Sequence, residues 1–235
     1  MHCEGQELLY RIGPCIVWGA SGQAKVVFDV LRMEGSSLLA VFDNDSSRRC
    51  PIEGVDIHHG TSGLEAFVTE LRGSHQDPSD VGCISAIGGS RGEERKLMSD
   101  LMAQFGFQPR GVRHPSAVVS PLAEVADTCQ VLAGALVGAF AEVGHHVIIN
   151  SGANVDHDCQ IGELSHVAPM AALAGEVVIG RGVFVGTNAT ILPRVKVGDH
   201  ARIGAGAVVI RDVPAGSTVV GVPAKVVTDI QRTTT

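Results

Sequence analysis

In residues 177–193, VVIGRGVFVGTNATILP, an aliphatic side chain returns every six residues, at Ile179, Val185 and Ile191, and a Val or Ala stands two places before each. Followed outward, the same step runs unbroken from Val119 to Val209, through Val125, Val131, Val137, Val143, Ile149, Val155, Ile161, Val167 and Leu173 on one side and Val197 and Ile203 on the other. Every position two residues earlier, from Ala117 to Ala207, holds Ala, Cys, Ser or Val. A six-residue period of this kind marks a parallel β-helix. Three hexads close one triangular coil: the aliphatic residue fills a narrow interior, and the small residue lets the chain turn a corner without a clash. Sixteen hexads make a little over five coils.

Glycine follows the aliphatic residue at Gly138, Gly144, Gly162, Gly180, Gly186, Gly198 and Gly204, where tight backbone approach or unusual dihedrals would exclude a Cβ. Cys129 and Cys159 fall on small-residue positions and read as core filler. The unbroken register leaves no room for a long excursion loop, so a site on this half must be built from its faces and its neighbours. Such solenoids associate through their faces, and a homotrimer with sites in clefts between subunits is expected.

Before residue 115 the pattern is different. CIVWGA is a short apolar run bounded by glycine, and QAKVVFDVLRM follows with Ala24, Val27, Phe28 and Leu31 at helical spacing. SLLAVFDND and VGCISAIGG read as two more buried strands, GLEAFVTELR and GEERKLMSDLMAQFG as two more helices, the last ending at Gly106. This βαβαβα order predicts a small parallel sheet. Its ligand would sit beyond the strands' carboxyl ends, at GASGQ, DND and IGGS. The glycines of GASGQA depart from the G-x-G-x-x-G spacing of a nicotinamide-cofactor turn.

Composition narrows the function. The net charge of −7 argues against a nucleic-acid surface. No apolar stretch reaches the roughly 18 residues of a membrane span. MHCEGQELLYRIGP lacks a basic start followed by an apolar run, so no signal peptide and a cytoplasmic location are expected. Six cysteines occur without a CxxC pair, which points to free thiols.

Against this background NVDHDCQIG, residues 154–162, stands out, because it places Asp156, His157 and Asp158 in a row inside the repeat. Two places after the inward Val155, His157 points away from the interior. A neutral imidazole beside a carboxylate is suited to removing a proton near neutral pH. His145 and His146 read as surface or interface residues. The H-x₄-H pair of a zinc-dependent hydratase on the same scaffold is missing, since the fifth residues after His157 and His166 are Gly162 and Ala171.

With GASGQAK, FDND, AIGGSRGEERK, HPSAVVSP, NVDHDCQIGELSHVAP and VIRDVPAGSTVVGVPAK in this order, the chain resembles the two-domain hexapeptide-repeat sugar O- or N-acetyltransferases of the bacillosamine and sialic-acid pathways. The resemblance implies a Rossmann-like, nucleotide-sugar-binding α/β domain over 1–112 and a left-handed β-helix acetyltransferase domain with a C-terminal tail over 113–235. It implies trimers, acetyl-CoA as co-substrate, no metal, and a role in bacterial surface-glycan synthesis. It makes His157 the general base and Asp158 the acid that raises its basicity. It assigns His166, Thr187, Ala205 and Lys225 to acetyl-CoA, and Ser21, Gly22, Gln23, Asp43, Asn44, Ile87 and Gly88 to the sugar nucleotide. Gln23 replaces the family's usual histidine and Asn44 a second acid, both where the nucleotide sugar would be read. The expected reaction is N-acetylation of a nucleotide-linked amino sugar; the alternatives are O-acetylation of a sialic acid or a catalytically silent sugar-nucleotide binder.

Overall fold

The computed structural model describes residues 13–227. Its first part is a parallel sheet of β1 (Pro14–Trp18), β2 (Ser37–Asp43), β3 (Asp56–His59), β4 (Gly82–Ser85) and β5 (Gln108–Pro109), with helices α1 (Gly22–Glu34), α2 (Gly60–Gly73) and α3 (Gly92–Gln104). The spatial order is β3-β2-β1-β4-β5, and every neighbouring pair is parallel. The order reverses between β1 and β4, which opens a crevice beyond their carboxyl ends. Helix α1 buries Ala24, Val27, Val30 and Leu31 along one face. It stops at Gly35, whose φ of 80° lets its N–H turn back to the Arg32 and Leu31 carbonyls.

Two strands of this sheet lie outside the three that periodicity identifies. They are DIHH (β3) and QP (β5), the two edges. An edge strand has a neighbour on one side only and is commonly short and polar, so neither carries the apolar run that marks the central three.

Strand pairing of Val112–Arg113 with Gln130–Val131 opens the second part, a parallel β-helix. Two-residue strands stack eighteen residues apart, Val137 on Val155 and Val155 on Leu173, into three sheets. From Val131 to Val209 the aliphatic positions are at most 4 % exposed, and Val119 and Val125 at the open end are partly buried. Ser165, the polar member of the small-residue set, is fully buried because its hydroxyl donates to the Gly180 carbonyl (2.8 Å) and accepts the Val183 N–H (3.0 Å).

The glycines that follow the aliphatic positions serve close approach and not dihedral freedom. A Cβ on Gly138 would lie 2.7 Å from the His157 nitrogen of the next coil. The left-handed conformation falls two residues later, at Phe140, His146, Leu164, Asn188 and His200. The core also runs past the regular repeat, to Val213 and Val219, and closes on a hairpin of Thr218–Val220 with Lys225–Val226.

The outward residues give the three faces different surfaces. On the first face Val112, Gln130, Ile148 and His166 are buried, and Val112, Leu132 and Ile148 share one apolar core with Cys15, Val17, Val27, Leu31 and Ile84 of the first part. This docking face makes the two parts one packed body. An ion pair between Glu34 and Arg110 (2.7 Å) braces the junction, and Glu34 also accepts the Arg113 N–H (3.1 Å). The second face carries Val118, Leu136, Asn154, Ala172, Thr190 and Val208, and the third Glu124, Glu142, Gln160, Val178 and Lys196.

Candidate active site

His157 lies in the turn after the strand Asn154–Val155, at the corner between the second and third faces. Asp158 takes the left-handed corner conformation, φ 57°, and its Oδ2 sits 2.8 Å from His157 Nδ1. Asp156 Oδ1 accepts the His157 main-chain N–H at 2.7 Å. With Nδ1 donating to a carboxylate, the Nε2 lone pair is the free end of the ring. The hydrogen bond to Asp158 is the main cause that holds the His157 pKa above 6.5, aided by the charges of Asp156, Asp158 and Glu176. Gly175 of the next coil makes room for the ring, since a Cβ there would fall 2.4 Å from Nε2.

A second centre lies at the crevice beyond β1 and β4. It is a cleft of about 720 Å³ lined by Ser21, Gln23, Asp43, Asn44 and Gly88, with His166 on the β-helix side. Gly22 is the first residue of α1, whose free N–H groups favour an anion. Ile87 is 3 % exposed, beneath the lining. Asp43 braces the crevice, because Oδ2 accepts the Ala20 N–H (2.7 Å) and Oδ1 the Asp45 N–H (2.9 Å). Gln23 Nε2 donates to Gln130 Oε1 (2.7 Å), and Gln130 in turn donates to the Ser85 carbonyl (2.8 Å). The β-helix therefore reaches directly into the cleft.

His166, assigned to acetyl-CoA by resemblance, lies in this same cleft. Its Nδ1 is 3.2 Å from the Gly89 carbonyl and its Nε2 3.0 Å from Asn150 Nδ2. Burial, helped by the Arg95 cation, pushes its pKa down to about 4. Thr187 and Ala205 are exposed, eighteen residues apart on successive coils, at the edge between the docking and second faces. Lys225 is exposed in the terminal hairpin. His166 and Lys225 belong to the sheet of the docking face and Thr187 and Ala205 to its edge, while His157 occupies the next edge.

Residues 176–211 match the bacterial transferase hexapeptide family, described by six repeats. A histidine-to-alanine mutant of GDP-perosamine N-acetyltransferase from Caulobacter crescentus, solved in complex with CoA and GDP-perosamine, is 34 % identical with a TM-score of 0.81, over 93 % of this chain and 99 % of that one. The acetyltransferase domain of PglB from Neisseria gonorrhoeae, solved with acetyl coenzyme A, is 30 % identical with a TM-score of 0.79, over 92 % and 100 %. The chain belongs to the hexapeptide-repeat sugar acyltransferases of the left-handed β-helix type. WeeI from Acinetobacter baumannii AYE, 21 % identical with a TM-score of 0.51 over 92 % and 100 %, shares the fold.

In this acyltransferase the cleft also holds residues that the motif reading passed over. Arg48 and Arg91 line it, each held by a neighbouring acid, Asp45 at 3.4 Å and Glu94 at 3.1 Å. They follow the carboxyl ends of β2 and β4, in DNDSSRR and GGSRGEER, a signal the sequence carries. Asn150, which meets His166, lies seven residues before His157 on the preceding edge. Cys159 is fully buried, its thiol pKa raised by burial and its Sγ donating to the Ala174 carbonyl (3.2 Å), so it presents no nucleophile. His146 packs under α3, and burial is the main cause that pushes its pKa down to about 4. Among the described residues no three of His, Cys, Asp and Glu converge as metal ligands, and no helix is long and apolar enough to cross a membrane. The described cysteines are free; Cys3 lies outside the described residues.

Proposed function

We propose that this protein transfers the acetyl group of acetyl-CoA to the amino group of a nucleotide-linked amino sugar, with His157 as general base. The observation that carries the reading is the pairing of His157 with Asp158 at 2.8 Å, which leaves Nε2 free at an exposed corner. The nucleotide cleft on the adjoining domain supports it, as does full-length likeness to an N-acetyltransferase crystallised with CoA and GDP-perosamine.

The chemistry follows from these groups. The neutral sugar amine attacks the thioester carbonyl, forming the C–N bond and a tetrahedral oxyanion. His157 Nε2 takes the proton that the nitrogen sheds, and Asp158 stabilises the imidazolium. The C–S bond then breaks, and the coenzyme A thiolate leaves with the proton returned by His157. A thioester is already activated, so no covalent enzyme intermediate is required.

The nucleotide cleft lies against the docking face of the β-helix, while the base stands at the corner between the second and third faces. We therefore assign the working site to the junction of two copies, the base from one and the sugar nucleotide from the next, in a homotrimer. The exposed Val118 and Leu136 of the second face, with Leu122, Phe140 and Met170 at its corners, suit burial between copies. Acetyl-CoA and nucleotide sugars are cytoplasmic metabolites, which supports a cytoplasmic enzyme acting in surface-glycan synthesis.

The test is thiol release from acetyl-CoA against UDP-, dTDP- and GDP-linked 3-amino and 4-amino sugars and free sialic acid, with product masses. Acetylation of one nucleotide amino sugar at its nitrogen is the expected result. Turnover of sialic acid alone would replace this reading with O-acetylation, and nucleotide binding without turnover would replace it with a silent binder.

A further inference from the structure

Arg95 of α3 is 1 % exposed, where the helix crosses onto the docking face. Its Nε donates to the His146 carbonyl (2.8 Å), Nη1 to Ile87 (2.8 Å), and Nη2 to Leu164 (2.8 Å) and Ser165 (3.4 Å). All four acceptors are main-chain carbonyls, and none is a carboxylate. A buried guanidinium held in this way costs desolvation that an ordinary apolar packing residue would not. Burial pushes its pKa down to about 10, which still leaves it charged at neutral pH.

Three of the carbonyls it gathers flank the two sides of the cleft. Ile87 opens the 87–89 loop on the sheet side, and Leu164 and Ser165 immediately precede His166 on the β-helix side. The two sides meet where His166 Nδ1 faces the Gly89 carbonyl at 3.2 Å. A carbonyl only accepts, so Nδ1 carries the proton. Nε2 then accepts from Asn150 Nδ2 (3.0 Å), whose Oδ1 is occupied by the Ser151 N–H (2.8 Å). One tautomer satisfies every partner.

We propose that Arg95 is a positioning residue for the nucleotide cleft: by bracketing the 87–89 loop against the 164–166 segment it sets the Gly89 carbonyl, and through it the tautomer and orientation of His166, before the nucleotide arrives. The proposal rests on the functional reading only in taking a nucleotide sugar as the cleft's ligand. The Arg95 cation also opposes protonation of His166, adding to burial. The other charged groups facing the ring across the cleft are Asp43, Asp45, Arg48, Arg91 and Glu94. Arg48 pairs with Asp45 and Arg91 with Glu94, and Phe184 of the next coil meets the ring edge-on at 5.4 Å without charge.

The test uses the full chain with ¹⁵N-labelled histidine, as wild type and as Arg95→Lys, which keeps the charge but cannot span four carbonyls. The wild type is expected to show His166 protonated at Nδ1 alone at neutral pH. Folded Arg95→Lys should show a mixture of tautomers and bind UDP or GDP about tenfold more weakly, the loss of charged hydrogen bonds being felt through the loop. The KM for the nucleotide sugar should rise more than kcat falls. Wild-type tautomer and wild-type nucleotide affinity in folded Arg95→Lys would overturn the proposal, leaving Arg95 as packing alone. A wild-type His166 protonated at Nε2 would overturn it without any variant, so a failure of Arg95→Lys to fold does not shield it. If the wild type binds neither UDP nor GDP, the functional reading is what falls, while the tautomer measurement, which needs no ligand, still decides on Arg95.

Discussion

His157 and His166 lie half a coil apart in the same repeat, one at a corner with its side chain 53 % exposed, the other turned into the docking face and 5 % exposed overall. A carboxylate within hydrogen-bond reach raises the pKa of the first, while burial and a nearby guanidinium push the second down to about 4. In a β-helix the position of a residue within the coil decides whether it meets solvent, the neighbouring domain or the core. Two histidines of one motif are thus tuned in opposite directions by geometry alone: one can carry a proton away, and the other stays neutral and holds shape.

The largest expected effect separates them by function. His157→Ala should lower kcat by about 10²- to 10⁴-fold, measured by thiol release, while calorimetry finds UDP or GDP affinity unchanged. If His166→Ala gave that same signature, the contrast between the exposed corner and the docking face would be broken. Asp158→Asn comes next. Activity should rise with pH as His157 loses its proton, with a midpoint above 6.5 in the wild type. Removing the carboxylate lowers that pKa, so the acidic limb should move to lower pH while the plateau falls about tenfold or more; a pH–rate profile reads both.

Gly175→Ala sharpens the geometry. A Cβ 2.4 Å from His157 Nε2 must displace the ring, and kcat should fall about tenfold with nucleotide affinity unaltered, because misplacing a reacting group is costly even when it is chemically intact. The smallest effect is an expected absence of change. His166, with a pKa of about 4, should keep the ¹⁵N signature of a neutral ring between about pH 5.5 and 8, and a titration step near 6.5 in that signal would contradict its neutrality in the cleft.

The inside of the β-helix was legible in the sequence because its core is one side chain wide and repeats every six residues. The outside was less so, since faces alternate on a period of eighteen. Val112, Gln130, Ile148 and His166 form one such outward column, and read at that spacing it stands apart from the more charged column of Glu124, Glu142, Gln160, Val178 and Lys196. A six-residue step cannot see this difference, so the docking of the α/β domain went unread. The central strands and helices of that domain were legible from apolar runs, but DIHH and QP were not, because edge strands bury too little to leave a pattern. At the cleft the glycine turn and Asp43 were found from the strand ends. Arg95 was not, because its partners are carbonyls, which have no letter in the sequence.

The central claim is that the base of one copy works on the nucleotide held by another, and mixing two dead variants tests it most directly. His157→Ala keeps an intact cleft, and Gly88→Phe, which fills the cleft, keeps an intact base. Each alone should be inactive. Co-expressed and purified as mixed trimers, they should recover turnover at about one site in three, because in a ring of either mixed composition one junction pairs a good base with a good cleft. Mixed trimers as inactive as their parents would contradict the shared site and return base and cleft to a single chain.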